Sequence, residues 1–249
     1  MGSRLAVFSV FFSESQRIVM LRLFLRVPKI PRILLLATLI TMVWKAISVN
    51  GEVDPARFEE AIAAFEQQDA EQMPPQDAIL FVGSSSIRKW DTAKWFPDRT
   101  VINRGFGGSH MSDLIHFTKR VVLPYRPRTI VLYEGDNDLA GGKSPGRVHA
   151  DYVQFVRMIR TELPETKIVF IAIKPSLSRW KLIAKIREAN QLIKKVTDDD
   201  PLLDYVDVDG PMLNDQGMPR PELFADDGLH LNDTGYELWT KLVEEKLAD

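Results

Sequence analysis

The sequence predicts an α/β fold in which a parallel sheet is covered by helices on both faces. Two observations predict the sheet. Short, nearly continuous apolar runs occur at Ile79–Val82, Val101–Asn103, Thr129–Tyr133, Lys167–Ile173 and Tyr205–Val208, the pattern of strands buried on both sides. Amphipathic segments at helical spacing separate these runs, which argues for strand–helix–strand crossovers and parallel pairing. A third observation concerns extent: the alternation runs through about 200 residues without an internal repeat or low-complexity run, which suits one domain.

The elements follow in order. Asp54 is a good N-cap with Pro55 at the first helical position, and Phe58, Ile62 and Phe65 form one stripe, predicting a helix over 54–68. A polar stretch from Gln67 to Gln76, with Pro74-Pro75, leads into the first strand. That strand runs into Gly83 and then Ser84, Ser85 and Ser86. A serine at such a turn serves either as a helix cap or as a nucleophile, and taken alone the cap is the commoner role. Ile87–Trp95 reads as a helix or an irregular turn packed by Trp90 and Trp95. The second strand is followed by the glycine-rich loop Arg104–Ser109. Helices are expected over Met111–Val122, from Ser144-Pro145 to about Leu163, over Trp180–Val196 and over Asp233–Leu247.

Composition narrows the function. The 249 residues carry a net charge of −2 with a pI near 6.1, so no global electrostatic case exists for a nucleic-acid partner. There is no cysteine, which excludes disulfides, thiolate metal sites and a cysteine nucleophile. A P-loop is absent. Gly105-Phe106-Gly107-Gly108 lacks the dinucleotide spacing, and no ribose-binding acid follows at the expected distance.

The first 50 residues differ from the rest. Arg4, Arg17, Arg22, Arg26, Lys29, Arg32 and Lys45 face a single acid, Glu14. The uncharged run Ile33–Trp44 after Arg32 matches the apolar region of an export signal, with Ala46-Ile47-Ser48 as a small-x-small cleavage site. The run is short for a spanning helix unless Lys45 snorkels and Ala46–Val49 join it, which would make residues 33–49 a membrane tether. Met20 as the start would give a signal of more usual length. The expected location is therefore exported, periplasmic or extracellular, with membrane anchoring as the alternative.

In a parallel sheet the loops after the strands open on one edge. Ser84–Ser86, Gly107-Gly108-Ser109, Asn137 and the loop with Asp226, Asp227 and His230 then converge. A hydroxyl, an imidazole, an acid to orient it, a glycine N–H and an amide are the parts acyl transfer needs.

These motifs resemble the SGNH hydrolases, also called GDSL-type esterases and lipases, over roughly residues 79–245. Gly83-Ser84-Ser85-Ser86 matches the family's Gly-Asp-Ser-Leu block, Asn103–Gly108 its Asn-x-x-x-Gly-Gly loop, Gly135-Asp136-Asn137-Asp138 its Gly-x-Asn-Asp block, and Asp227-Gly228-Leu229-His230 its Asp-x-x-His block. The resemblance implies a flavodoxin-like three-layer α/β/α sandwich with a five-stranded parallel sheet. It also implies Ser85 as nucleophile, His230 as base, Asp227 as its orienting acid, Gly108 and Asn137 as oxyanion donors, and no metal or organic cofactor. Ser84 stands where the family has Asp and Ser86 where it has Leu, which leaves a register question that Gly83, two before Ser85, answers in favour of Ser85.

The implied activity is hydrolysis of a carboxylic ester, the substrate being a small-molecule, lipid or sugar-borne ester. No long apolar lid is visible, which leans towards small or sugar-borne acyl groups. The expected organisation is an export signal or N-terminal membrane anchor over residues 1–50, a helix and linker over 51–78, and the hydrolase domain over 79–249. Two other readings remain: a metal-dependent phosphoesterase using Asp136, Asp138, Asp226, Asp227 and His230, and a non-catalytic carbohydrate-binding module on the same fold. Asp138 and Asp226 otherwise read as turn-formers, His110, His116 and His149 as helix-surface residues, and Arg179 and Trp180 as cleft lining or core.

Overall fold

A computed structural model describes residues 54–247. The expected export signal or anchor, its cleavage site and the alternative start at Met20 lie outside these residues. Among the described residues no helix is long and apolar enough to cross a membrane.

Five strands form one wholly parallel sheet: β1 (Ile79–Gly83), β2 (Val101–Gly105), β3 (Thr129–Tyr133), β4 (Lys167–Ile171) and β5 (Leu203–Val206), in the spatial order β2-β1-β3-β4-β5. Each pair is parallel and in register, with Gly83 opposite Gly105 on one side and Tyr133 on the other. This order is the flavodoxin-like one, and its crevice opens where the connections change direction, between the carboxyl ends of β1 and β3.

Eight helices are described: α1 (Glu59–Glu71), α2 (Ser85–Arg88), α3 (Thr92–Trp95), α4 (Met111–Val121), α5 (Asp136–Ala140), α6 (Pro145–Glu162), α7 (Ile183–Asp198) and α8 (Asp233–Leu247). Alternation along the strands divides the core. Leu80, Val82, Ile130, Leu132, Ile168 and Phe170 face one layer, which Ile62 of α1, Leu114 and Phe117 of α4, Tyr152 and Phe155 of α6 and Ile186 and Ile193 of α7 complete. Ile79, Phe81, Val131, Tyr133, Val169 and Ile171 face the other, closed by Trp90, Phe96 and, from α8, Tyr236, Trp239 and Val243. The three-layer α/β/α sandwich expected from the resemblance is the observed fold.

Several boundaries differ from expectation for identifiable reasons. The first helix opens with a 3-10 turn at Pro55–Phe58, capped by Asp54 Oδ1 accepting from the Ala56 N–H, and becomes α-helical only from Glu59. Its stripe is used as predicted: Phe58 and Ile62 are buried, and Phe58 meets Phe106 edge-on with ring centroids 5.1 Å apart. Deeper still, Asp69 accepts from Arg104 Nη2 and from Tyr125 OH, each at 2.5 Å, fastening the end of α1 to β2. Strand β5 begins two residues earlier than expected, because Ile168 pairs with Leu203 and Asp207 Oδ1 turns the chain by accepting from the Asp209 N–H. Ser144 caps α6 as predicted, its Oγ accepting from the Arg147 N–H.

Candidate active site

The turn after β1 is built for close approach. Gly83 has φ +136°, and an added Cβ would lie 2.0 Å from the carbonyl oxygen of Tyr133. The Ser84 N–H donates to that same carbonyl at 3.1 Å. Asn103 braces the turn from β2: its Nδ2 donates to the carbonyls of Ile87 and Trp90, while its Oδ1 accepts from the Gly105 N–H. Gly105 is required because a Cβ there would meet the Arg88 backbone nitrogen at 2.4 Å. The helix that follows, α2, is a single turn, so its dipole is small. What it offers an anion is the free N–H groups of its first turn.

The three serines have separate fates. Ser84 is fully buried with an unpartnered hydroxyl and makes no side-chain cap. Ser86 is buried and its Oγ accepts from Lys174 Nζ at 3.1 Å. Ser85 alone reaches His230, with Oγ 2.9 Å from Nε2. The cap role, commoner for a serine taken alone, is therefore not the one Ser85 plays.

His230 precedes α8 on a tight loop. Asp227 Oδ1 accepts from the N–H groups of Leu229 and His230, both at 2.9 Å, and its Oδ2 lies 2.5 Å from His230 Nδ1. The imidazole and the two N–H groups hold the Asp227 carboxyl well below the usual carboxylate range. An ionised carboxylate only accepts, so Nδ1 carries the hydrogen and Nε2 turns its lone pair to Ser85. Helix α8 is tied to the nucleophile turn directly. Tyr236 OH donates to the Ser86 carbonyl at 2.9 Å, and Trp90 stacks on Tyr236 with centroids 5.5 Å apart. These contacts hold Ser85 and His230 in register although they are far apart in sequence.

Gly108 is exposed with φ +87° and open space around it, on the loop after β2. Its neighbour Gly107 has the Arg88 guanidinium packed over it, 2.8 Å from where a Cβ would be. Asn137 lies at the start of α5, its Nδ2 donating to the Ser109 carbonyl at 3.0 Å and its Oδ1 accepting from Arg179 Nη2 at 2.9 Å. Ser85 and Asn137, in the first turns of α2 and α5, and Gly108, Asp227 and His230, on loops, thus all lie at the carboxyl edge of the sheet. Such an arrangement is able to move a proton off a hydroxyl and to offer N–H groups to a developing anion.

Beneath it lies a buried polar layer that local sequence patterns do not reveal. Lys174 is completely buried, donating to Tyr133 OH and Ser86 Oγ and pairing with Asp136, 3.3 Å away. Although burial alone would raise it, the Asp136 carboxyl is held below its ordinary value by Lys174 and Arg179. Asp138, expected as a turn-former, is buried instead, accepting from the Met111 N–H and from Lys143 Nζ at 2.8 Å. His110, expected on a helix surface, is buried at the start of α4, where its N–H donates to Asp113; His116 is exposed as expected. Glu134 is fully buried, and burial first, then Asp138, pushes its carboxyl well above the usual range.

The alternative metal-ligand set is not assembled. Asp136 and Asp138 are each committed to buried lysines, and among the described residues no three His, Asp or Glu side chains converge as a metal site. A cavity of about 880 Å³ lined by Val153, Arg157, Arg160 and Leu203, among others, contains none of the site residues.

Fold and site together set a serine, paired with a histidine, at the switch-point crevice of a parallel α/β sandwich. Residues 85–238 match the family model of the GDSL-like lipase/acylhydrolase family, and the chain belongs to that family. No curated protein matches the sequence. Among solved structures, a Streptococcus pneumonia protein provisionally described as a platelet activating factor superposes with a TM-score of 0.69 at 19% identity, covering 85% of this chain and 99% of its own. A GDSL-like lipase from Bacteroides thetaiotaomicron gives 0.65 at 17%, covering 75% and 96%. A mutant of an acetyl-xylooligosaccharide esterase from Geobacillus stearmophilus gives 0.58 at 13%, covering 71% and 96%. At such identities these structures establish the shared fold.

Proposed function

We propose that the protein is a carboxylic-ester hydrolase acting through Ser85, His230 and Asp227. The observation that carries this reading is the unbroken series Ser85 Oγ–His230 Nε2 at 2.9 Å and His230 Nδ1–Asp227 Oδ2 at 2.5 Å. Ser85 Oγ attacks the ester carbonyl carbon as His230 Nε2 takes its proton. The oxyanion so formed is held by the N–H groups of Ser85 and Gly108 and by Asn137 Nδ2. Collapse expels the alcohol, which receives the proton from His230, and leaves an acyl-Ser85. Water, deprotonated by the same nitrogen, releases the acid and restores Ser85.

The Asp227 carboxylate keeps the imidazole in the tautomer that can accept from Ser85 and stabilises the imidazolium once it forms. The lack of a long apolar lid in the sequence favours small or sugar-borne acyl groups, and the family's acylhydrolase chemistry supports the reaction class. The basic, apolar N-terminal pattern supports export of the enzyme to its substrate, with residues 33–49 as tether if uncleaved.

The test is hydrolysis of p-nitrophenyl acetate by the full chain beside Ser85→Ala, with and without chelator. Activity that vanishes in Ser85→Ala and ignores the chelator supports the reading. Activity that survives Ser85→Ala but not the chelator rejects it in favour of a metal site.

A further inference from the structure

The amide of Asn137 is held at both ends by partners that allow one orientation only. Arg179 Nη2 lies 2.9 Å from Oδ1, and a guanidinium can only donate. The Ser109 carbonyl lies 3.0 Å from Nδ2, and a carbonyl can only accept. The oxygen therefore faces Arg179 and the nitrogen faces the oxyanion loop, beside Gly108. One Nδ2 hydrogen is spent on Ser109 and the second is left over.

Arg179 is itself anchored. Its Nη1 lies 3.0 Å from Asp136 Oδ2, and the same carboxylate pairs with buried Lys174. Lys174 in turn donates to Ser86 Oγ, the neighbour of Ser85. One ionic chain, buried at Lys174 and Asp136 and half-buried at Arg179, thus runs from behind the nucleophile turn to the far side of the Asn137 amide. It ends on a residue from the loop after β4, which none of the matched motifs includes.

We propose that Arg179 is a positioning residue for ester hydrolysis: it locks the Asn137 amide so that Nδ2, not Oδ1, faces the reacting carbonyl. The inference rests on the function proposed above. Without the lock, rotation of the amide by half a turn presents an oxygen to the oxyanion, turning a donor into a repulsive acceptor. The Ser109 carbonyl opposes that rotation alone, so part of the donor population survives.

The experiment is a double-mutant cycle on the full chain, with kcat and KM for p-nitrophenyl acetate measured in wild type, Arg179→Met, Asn137→Ala and the double variant. Losing an oxyanion donor outright costs on the order of a hundredfold or more in kcat. Losing only its lock is expected to cost about tenfold to a hundredfold, with KM within about twofold. The double variant should match Asn137→Ala alone, because Arg179 has nothing left to position. Arg179→Lys, which keeps one donor and the charge facing Asp136, should recover part of the loss.

Should Arg179→Met fail to fold, the Arg179→Lys cycle carries the same comparison. An unchanged kcat, a loss confined to KM, or losses that multiply in the Asn137→Ala background would overturn the proposal. A wild type whose activity is indifferent to Ser85→Ala would instead overturn the parent function and this inference with it. Ser85-dependent activity with multiplying losses overturns the inference alone.

Discussion

Gly83 and Tyr133 are neighbours across β1 and β3, and the missing side chain of the first is the space occupied by the carbonyl of the second: a Cβ on Gly83 would sit 2.0 Å from the Tyr133 oxygen. The contact lies two residues before Ser85, so it fixes where the chain leaves the sheet. Gly83→Ala combines a clash against backbone with a φ of +136° that an L side chain rarely adopts. Overpacking and backbone strain each cost about 1–3 kcal/mol, so a loss of roughly 2–6 kcal/mol is expected by urea denaturation. Gly146 is the control. It lies in the first turn of α6 with open space around it, and Gly146→Ala should be stabilising by about 0.5–1 kcal/mol. Equal effects at the two positions would contradict this account of the turn.

The three serines allow a sharper test, because they are adjacent and chemically identical. Ser85→Ala should lower kcat by about four orders of magnitude or more with no change in melting temperature. Ser84→Ala removes a hydroxyl that has no partner and should leave both rate and stability close to wild type. Ser86→Ala removes an acceptor from the buried Lys174 ammonium and should cost about 1–3 kcal/mol of stability. If Ser84→Ala or Ser86→Ala, rather than Ser85→Ala, abolished turnover, the nucleophile would be misassigned.

How far these positions could be read in advance depends on where their partners lie. The strand ends, Gly83 and the Asp227–His230 pair were legible because the determinants are local: an apolar run stopped by glycine, and an acid three residues from the histidine it binds. The burial of Asp138 and His110 was not legible. A polar residue in a Gly-x-Asn-Asp run looks like a turn, and its pairing with nearby Lys143 becomes a buried one because the start of α4, whose Met111 N–H donates to Asp138, packs over it. Arg179 was similarly ambiguous between cleft and core, since its role depends on Asp136 and Asn137 on another strand's loop. The early start of β5 reflects the same limit, because register is set by the neighbouring strand.

Glu134 yields a prediction in which pH decides the sign. Ser109 Oγ lies 2.9 Å from the Phe106 carbonyl and 2.5 Å from Glu134 Oε1. The carbonyl can only accept, so it takes the hydroxyl's single hydrogen, and a protonated Glu134 donates to the Ser109 oxygen. Burial raises the folded-state value well above the unfolded one. The associated stability is fully present below the unfolded pKa and is lost as pH rises towards the folded value. Within that window the loss is about 1.4 kcal/mol per pH unit for one proton. Glu134→Gln keeps a neutral donor and has no proton to lose. Its melting temperature relative to wild type should therefore climb as pH rises above the unfolded value of about 4.3. A difference that stayed flat would mean that Glu134 is ionised in the folded protein.

Asp227 gives a prediction about tautomers. Its Oδ1 is engaged by two backbone N–H groups and its Oδ2 by His230 Nδ1. In Asp227→Asn those two N–H groups retain the amide oxygen, because they can only donate. The amide nitrogen is then turned to His230 Nδ1, which must become an acceptor. The imidazole hydrogen moves to Nε2, the atom that has to accept from Ser85. In Asp227→Ala the imidazole loses its anchor but stays free to adopt the working tautomer. Asp227→Asn should therefore lower kcat further than Asp227→Ala, by about a hundredfold to ten-thousandfold against wild type, although it is the closer isostere. Because the wild-type carboxyl is held well below the usual carboxylate range, it stays ionised through mildly acidic pH, and any acid-side loss of wild-type activity belongs to another group. Measuring kcat against pH for the three proteins checks both statements: an Asn variant more active than the Ala variant would show that Asp227 does not select the tautomer.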